Sequence, residues 1–566
     1  ITQMQELTLT RGYQSSVAPE LHFGLGKSEL INQLTITWPD GNVQILNNIV
    51  ANQILQLKHE ESIPVKMIVK DQKRLFVNVT EQLGLKHKHS ENLYDDFIKE
   101  VLLPHRTSTF GPYLSIGDLN NDNMEDFFIS GASQYKSGLY FQTSEGFEQQ
   151  HTILDEDNKY EDMGSLMFDA DNDGDLDLYV VSGGNEFDAG SEMLQDRLFL
   201  NDGSGNLTRA IGALPIMLTS GSRVYNADFD NDGDMDLFVC GRLVPGNYPA
   251  PARSYILENK STPDNILFVD VTEDISPELF KPGLVTAASW SDYNNDGWVD
   301  LIVTGEWMPI RVFQNINGKL KETSKKMGLD KSTGWWFSIA NGDFDNDGDL
   351  DFVLGNLGLN YKYKSTDGKT FDIYLNDFDK NNSKDIVLSY YNEGEKYPVR
   401  GRECSSQQIP AIKNKFKNFE TYSNASLIDI YTEKDLKESL HYQVNTFSSV
   451  YMENKGDKFI LHKLPNMAQL SSTNQIIPFD FDDDGNLDFI MAGNLYASEV
   501  ETPRNDAGKG LFMKGDGHGN FKAIPYVNSG LYTAKDVKDL AMITIKGKRM
   551  ILVANNDTYI EVVKFN

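Results

Sequence analysis

The sequence predicts an all-β protein, a β-propeller preceded by a small β domain. Three observations predict this fold. A short acidic motif recurs along most of the chain, an apolar strand-like run follows each copy, and Gly- and Asn-rich turns separate the runs. Repeats of about 50 residues with about four strands each are typical of propeller blades. Eight motifs can be counted, which predicts seven or eight blades.

The clearest copy of the motif runs from Gly342 to Leu354. It places carboxylates at Asp343, Asp345, Asp347 and Asp351, and a glycine directly after the third of them. Such spacing lets a short loop bring several oxygens to one point, and the glycine permits the sharp turn. Four crowded negative charges repel each other unless a cation lies between them. A hard divalent cation with oxygen ligands, calcium, is therefore predicted.

The motif occurs seven times, with oxygen-bearing side chains at its first, third, fifth and ninth positions. The seventh-position carbonyl is expected to complete each shell. Of the 28 side chains 25 are Asp. The predicted calcium ligands are Asp118, Asn120, Asp122 and Asp126; Asp169, Asp171, Asp173 and Asp177; Asp228, Asp230, Asp232 and Asp236; Asp292, Asn294, Asp296 and Asp300; Asp343, Asp345, Asp347 and Asp351; Asp377, Asp379, Asn381 and Asp385; Asp480, Asp482, Asp484 and Asp488.

Up to seven structural calcium ions are thus predicted, in a calcium-binding β-propeller. Acidic loops can also be plain solvated turns, but seven in register between strands favour the metal. An EF-hand is excluded, since its twelfth position needs Glu and here holds Val180 or Leu354. The loop at Asp377 should bind most weakly, because Asn382 replaces its glycine. Seven divalent ions would add +14 and move the formal net charge from −31 to −17.

The composition excludes other classes of function. The chain has 83 acidic and 52 basic residues, so nucleic-acid binding is not expected. No apolar run is long enough to cross a bilayer. The two cysteines are too few for a disulfide scaffold. The chain opens at Ile1 in the middle of a pattern, so we expect a longer precursor whose unseen part carries any targeting signal or lipid anchor.

Residues 1–62 alternate in short β-like runs and form the predicted first domain. The segments Arg11–Ser16, His22–Gly26 and Thr37–Gly41 resemble the ASPIC/UnbV domain, which usually follows calcium-loop repeats. Here it comes first with a clipped start, which implies an earlier part such as another propeller. Residues 63–72 are predicted to be a linker, and residues 73–566 the propeller.

The loops start 51, 59, 64, 51, 34 and 103 residues apart, by subtraction of their first positions. The short interval suggests that the Asp343 repeat lacks its outer strands. The long one indicates an insertion at about 393–445 with a helical pattern. After the last loop, the strands at 540–545 and 550–553 are expected to form a metal-free motif. Its outer strand is predicted to be residues 75–79, which would close the ring.

The pattern Asp-x-Asp-x-Asp-Gly-x-x-Asp between strands resembles the FG-GAP/VCBS repeats of integrin-α-like propellers. With its first domain, the chain is similar to bacterial VCBS-repeat relatives of cartilage acidic protein. The Arg400–Cys404 segment and the helical insertion are similar to large surface proteins of Bacteroidota. The resemblance implies an extracellular or outer-membrane location on a bacterium, as a lipoprotein docked to a nutrient-uptake complex.

A second functional surface is predicted at the end of the ring opposite the acidic loops, where the second strand of each blade ends. Its loops are rich in Arg, Asn, Trp and Tyr, which suits recognition of a glycan or a protein. The alternative is ordinary blade packing, in which Trp307 belongs to the core and Arg400 and Arg402 bind carboxylates of the insertion. The predicted ligand-face residues are Arg242, Trp307, Asn356, Asn360, Arg400, Arg402, Tyr496 and Arg504.

Two functions from different classes follow. The first is a non-catalytic binding or assembly protein of the cell surface, which uses the propeller as a rigid platform. The second is a calcium-dependent lyase or hydrolase that degrades polysaccharides. The sequence lacks HExxH, GxSxG and Walker motifs and a Cys/His metal cluster, and its nine His are scattered. Binding is therefore the favoured interpretation, and no catalytic residue is assigned.

Overall fold

The computed structural model describes residues 2–63, 74–262, 265–366 and 368–565. The chain divides into two compact units, Ile1–Lys73 and Arg74–Asn566. Apart from Ile63, the predicted linker lies outside the described residues. No helix in the described ranges has the length and apolar character needed to span a membrane. Cys240 and Cys404 are free thiols.

The N-terminal unit is built on one antiparallel hairpin, Leu30–Thr37 with Val43–Val50. The turn Pro39–Gly41 lies between these strands, where Gly41 has φ of 85° and its N–H donates to the carbonyl of Trp38. Two shorter strands, Thr10–Gly12 and Ser15–Ser16, pair with each other, and His59–Glu61 form a short 3-10 helix. A small β unit is therefore present.

The larger unit is a seven-bladed propeller, each blade an antiparallel four-stranded path. Blade 1 contains Leu114–Gly117, Asp126–Ile129, Gly138–Gln142 and Phe147–Gln150. Blade 2 contains Asp162–Phe168, Asp177–Ser182, Arg197–Asn201 and Leu207–Arg209. Blade 3 contains Ser220–Ala227, Asp236–Leu243, Tyr255–Asn259 and Phe268–Asp270. Blade 4 contains Leu284–Ser291, Asp300–Met308, Arg311–Asn315 and Leu320–Glu322, with Gly334–Trp335 added beside its second strand.

The remaining blades complete the ring. Blade 5 contains Ser338–Gly342, Asp351–Gly355, Val450–Asn454 and Phe459–Lys463. Blade 6 contains Gln475–Phe479, Asp488–Ala492, Leu511–Gly515 and Phe521–Pro525, and blade 7 contains Val537–Ile545, Lys548–Asn555, Glu561–Phe565 and Phe76–Asn78. The first strands of neighbouring blades contact one another in a closed cycle. One hydrophobic cluster lies between each pair of neighbouring blades and holds them together.

The ring closes because a strand from the beginning of the larger unit completes the last blade at its end. Phe76–Asn78 pairs antiparallel with Glu561–Phe565, so the metal-free last motif receives its outer strand from the N-terminal side. Phe76 is 1% exposed and packs against Phe481, Phe512 and Phe565. With this pairing blade 7 has the same four strands as the other blades, and its third strand is no longer an exposed edge.

We expect Phe76→Ala to lower the free energy of unfolding of the larger unit by about 3–5 kcal/mol, since it empties a buried aromatic site. Val77→Ala on the same strand is the matched control, because Val77 is 42% exposed. Urea unfolding of both variants measures the difference. Equal stabilities of the two variants would show that strand closure contributes little.

The prediction of an insertion at about 393–445 is wrong in its bounds. The insertion runs from 356 to 449, between the second and third strands of blade 5. It holds a sheet of its own, with strands Phe371–Asn376, Asp385–Asn392, Glu395–Pro398 and Leu440–Val444. The Asp377 loop lies in this inserted sheet and forms no blade. The Asp343 repeat has its outer strands after all, on the far side of the insertion.

The insertion has five short helices, and all but the first contribute side chains to a hydrophobic cluster with the inserted sheet. They are Arg402–Gln408, Ala411–Lys415, Phe419–Ser423, Leu427–Tyr431 and Glu433–Lys437. Further helical turns lie in loops of the larger unit. They are Thr80–Leu83, Asp96–Ile98, Ile153–Glu156, Glu192–Leu194, Thr272–Ile275, Pro277–Leu279, Asn466–Gln469 and Tyr526–Ser529.

Candidate metal centres and the opposite face

Each acidic loop of blades 1 to 6 joins the first and second strands of its blade. Because the blades are equivalent, these six loops lie at the same end of the ring. The seventh acidic loop, at Asp377, joins two strands of the inserted sheet. In blade 7 a turn at Lys546 and Gly547 takes the place of the loop.

The loops share one backbone conformation. In blade 5 the N–H of Asp347 donates to Asp343 Oδ1 at 3.1 Å, and the N–H of Gly348 donates to Oδ2 of the same carboxylate at 3.1 Å. The fourth and sixth positions have positive φ, 57° at Asn346 and 92° at Gly348. Asn and Gly adopt this region at low cost, so the sequence pattern sets the turn. In blade 1 Asn123 occupies the sixth position with φ of 65°.

The ninth-position aspartate of each loop is buried, and in blade 2 it joins the loop to the second and third strands. Asp177 accepts from the N–H of Ala170 in the loop and from the N–H of Asn201 at the end of the third strand, both at 2.9 Å. Burial raises the pKa of Asp177 to about 7 and that of Asp236 to about 8. A nearby cation would favour the charged form that burial disfavours.

The carboxylates converge in five of the seven loops, where three oxygens, one from each residue, lie within 4.8 Å of one another. The other two loops, at Asp118 and Asp292, carry Asn at the third position, which contributes an amide oxygen. The converging sets are Asp169, Asp171 and Asp177; Asp228, Asp230 and Asp236; Asp343, Asp345 and Asp347; Asp377, Asp379 and Asp385; Asp480, Asp482 and Asp488.

The loops also pass a chemical test of fit for a hard cation. Asp300 Oδ2 and Asp482 Oδ1 are buried oxygens that accept no hydrogen bond within the described chain. Burial and the neighbouring Asp173 carboxylate raise the pKa of Asp171. A site made of carboxylate oxygens with unused lone pairs suits calcium, which takes several oxygen ligands.

Lysines near the ends of third strands lie beside three of the loops. Lys514 Nζ is 2.7 Å from Asp484, Lys455 Nζ is 3.6 Å from Asp345, and Lys260 Nζ is 3.6 Å from Asp232. They neutralise part of the loop charge. Sequence reasoning missed them, because they follow the last aspartate of their loops by more than 20 residues.

An asparagine at the end of the third strand ties the loops of blades 1 to 4 to the next blade. Asn201 of blade 2 donates to the carbonyl of Leu119 in the blade 1 loop at 2.7 Å, and Asn315 of blade 4 donates to the carbonyl of Phe229 in the blade 3 loop at 2.7 Å. The acidic loops therefore form part of the contacts between blades. A change in the conformation of a loop is expected to weaken the packing of the neighbouring blade.

The opposite end of the ring is covered by residues 86–113, here called the capping segment. Its backbone or side chains contact blade 7 at Thr558, blade 2 at Asn185, blade 3 at Tyr248 and blade 6 at Ala497. All four residues lie beyond the second strands of their blades, at the end predicted to hold the ligand loops. The sequence pattern gives no sign of the capping segment, since it has little regular secondary structure.

A buried charged cluster anchors the capping segment to blade 4. Glu306 lies 2.7 Å from His105 Nε2 of the capping segment and 2.8 Å from Arg242. Burial acts to raise the pKa of Glu306, but Arg242 and His105 outweigh it and lower the pKa to about 2. All three side chains are almost inaccessible to solvent.

The structure thus places four of the eight predicted ligand-face residues in the interior. Arg242, Trp307, Asn356 and Arg400 are buried, and Arg400 pairs with Glu499. The remaining four are more accessible. Arg504 lies over the ring of Tyr496, Asn360 is exposed, and Arg402 donates to the carbonyl of Phe416. The buried residues hold loops together, so the interpretation as blade packing fits them better.

Residues 1–64 match the ASPIC and UnbV family, and residues 169–239 and 292–354 match the FG-GAP-like repeat. The predicted resemblance to both is confirmed. Among solved structures, the chain is similar to the V. cholerae biofilm matrix protein Bap1, at 10% identity over 85% of this chain and 91% of that chain (TM-score 0.33). It is also similar to YCF48 from Cyanidioschyzon merolae, at 9% identity over 82% and 98% (TM-score 0.37). No curated protein matches this sequence.

Proposed function

For a chain that carries an ASPIC/UnbV region and a propeller of FG-GAP-like repeats, we propose a non-catalytic, calcium-stabilised binding protein of the bacterial cell surface. One observation carries this proposal: in four loops at one end of the ring, and in the loop of the insertion, three carboxylate oxygens lie within 4.8 Å of one another. A rigid ring with its metal ligands at one end leaves its outer surfaces and its insertion free to contact a partner.

Calcium would act on the fold through the ninth-position aspartates. In the six blades each of them accepts a hydrogen bond from the third strand, and those of blades 1, 2, 3 and 6 also accept one from their own loop. A cation bound to the same carboxylate would therefore join three strands of a blade and reduce repulsion in a chain of net charge −31. We assign up to seven such ions, with Asp377 to Asp385 as the weakest site.

The proposed location follows from metal affinity. Loops with several carboxylates stay occupied at the calcium concentrations found outside cells. We propose a glycan or another surface protein as the partner, in an outer-membrane uptake complex, with anchoring through a part of the protein outside this chain.

Elemental analysis of protein purified in calcium without chelator tests the metal assignment. We expect six to seven calcium ions per chain, in line with six loops in blades and one in the insertion. Protease treatment of intact cells tests the location, since a surface protein is degraded while cytoplasmic proteins survive. Protein without bound calcium, or fully protected from the protease, would contradict the proposal.

A further inference from the structure

The insertion contains an open groove that the metal loops and the capping segment do not use. It has a volume of about 580 Å³ and lies between the inserted sheet and the helices Leu427–Tyr431 and Glu433–Lys437. This volume lies within the range of small-molecule sites. The groove is lined by residues that include Tyr374, Tyr391, Lys396, Ile428, Lys437 and His441.

A buried carboxylate under the groove holds several lining side chains in place. Asp372 is fully buried, and its Oδ2 lies 2.9 Å from His441 Nε2 and accepts from Lys396 and from the Tyr374 hydroxyl. Burial acts to raise the pKa of Asp372, but the hydrogen bonds from His441 and Lys396 outweigh it and hold the pKa below its ordinary value. The charged carboxylate therefore orients three groove residues before any ligand arrives.

The groove also presents aromatic surface. The rings of Tyr374 and His441 stack face to face, with centroids 4.2 Å apart and planes 2° from parallel. Tyr391 is half-buried on the next strand, and Lys396 Nζ lies 5.1 Å from its ring centroid. Rigid aromatic side chains provide contact area at low entropic cost, and their polar tips remain available for hydrogen bonds.

The charges in the groove are paired with one another. Lys396 pairs with Asp372, and Lys437 Nζ lies 2.6 Å from Glu433. Glu395 adds a further negative charge at the rim. No surplus of positive charge is left to attract a phosphate or a carboxylate, so an anionic ligand is disfavoured. Ser426 and Ser439 donate their hydroxyl protons to Asp429 and to the carbonyl of Asp435, so their oxygens serve as acceptors. The ammonium of Lys437 and the carboxylate of Glu395 add a donor and an acceptor.

We propose that this groove binds a neutral saccharide, whose hydroxyls meet the paired polar groups and whose ring faces pack on Tyr391. A polyhydroxyl ligand needs hydrogen-bond donors and acceptors together with flat apolar surface, and the groove provides all three. The inference rests on the binding role proposed above and gives that role a ligand class and a place in the insertion.

Isothermal titration of the full chain in calcium tests the inference, with short neutral oligosaccharides from cellulose, xylan, mannan and galactan as probes. A galacturonan oligosaccharide of similar length is the anionic comparison. We expect at least one neutral probe to bind and galacturonan to bind more weakly. Tyr391→Ala should weaken the binding about tenfold or more, which corresponds to 1.4 kcal/mol.

Tyr390→Ala is the matched control, because Tyr390 is the neighbouring residue, is 41% exposed and does not line the groove. Its affinity should equal that of the unmodified chain. Ile428→Arg is a second variant, since Ile428 is 56% exposed and a larger side chain there would block the groove without disturbing the core. It should abolish binding even if Tyr391→Ala is poorly folded.

Failure of every neutral probe to bind would overturn the inference, as would tighter binding of galacturonan or equal losses from Tyr390→Ala and Tyr391→Ala. The calcium content of the same sample separates this result from the proposed function. Calcium-loaded chains that bind no neutral saccharide overturn the groove assignment alone. Chains that bind saccharide through Tyr391 but contain no calcium overturn the calcium assignment alone.

Discussion

Removal of calcium is expected to lower the melting temperature of the propeller by about 10 °C or more. Each occupied site stabilises the folded chain by mass action, by about 2.7 kcal/mol when calcium is a hundredfold above its dissociation constant. The loops lie between strands and contact neighbouring blades through Asn201 and Asn315, so weakened loops loosen the whole ring. Calorimetry in calcium and in a chelator measures the shift.

Restoring calcium in excess is the control and should return the melting temperature to its original value. Magnesium at the same concentration should restore less, because it requires a smaller octahedral site and dehydrates reluctantly. A melt that does not change with chelator would rule out a structural role for calcium.

The stability of the calcium-free chain and that of the calcium-bound chain should also change with pH in opposite directions. Without calcium, the raised pKa values of Asp177, about 7, and Asp236, about 8, mean that the folded chain binds protons that the unfolded chain releases. The stability of this form is therefore lost as pH rises through those values. With calcium, protons compete for the ligands, so stability falls as pH decreases. Melts across this pH range in both conditions check the signs.

Asp236→Asn is expected to destabilise the ring by about 3 kcal/mol, whereas Asp385→Asn should leave ring stability nearly unchanged. Both residues hold the ninth position of an acidic loop. Asp236 accepts from the N–H groups of Asn259 and Phe229 in blade 3. An amide in its place accepts with one atom only, which leaves a buried donor unpaired. Asp385 lies in the inserted sheet, outside the ring.

Tryptophan fluorescence during urea unfolding in calcium measures this difference. Five of the six tryptophans lie at positions 290–336 of the propeller and none lies in the insertion. Trp307 and Trp335 also pack against Phe371 of the inserted sheet, so the signal reports on the ring and on its contact with that sheet. Loss of one bound calcium in both variants would show that both loops are sites. Equal destabilisation by the two substitutions would show that the loop of the inserted sheet supports the ring as strongly as a blade loop does.

The sequence alone determined the repeat, the loops and the strands that flank them. Aspartates at fixed spacing followed by apolar runs such as Leu178–Val181 specify a local turn and a hairpin, because their contacts lie within a few residues. The closing strand at Phe76 was also predictable, since blade 7 otherwise lacks an outer strand. Because the spacing of the aspartates within each loop is the same, the loops of six blades are equivalent.

The number of blades, the limits of the insertion and the accessibility of each end of the ring depend on long-range contacts that the sequence pattern does not reveal. Val353 pairs with Tyr451 across the insertion, and no local pattern indicates a partner so far along the chain. The capping segment makes mostly long-range contacts, such as that of His105 with Glu306. These contacts help to bury Arg242, which the sequence predicted to bind a ligand. Short-range spacing encodes turns, whereas the choice of sheet partners depends on which distant surfaces bury one another.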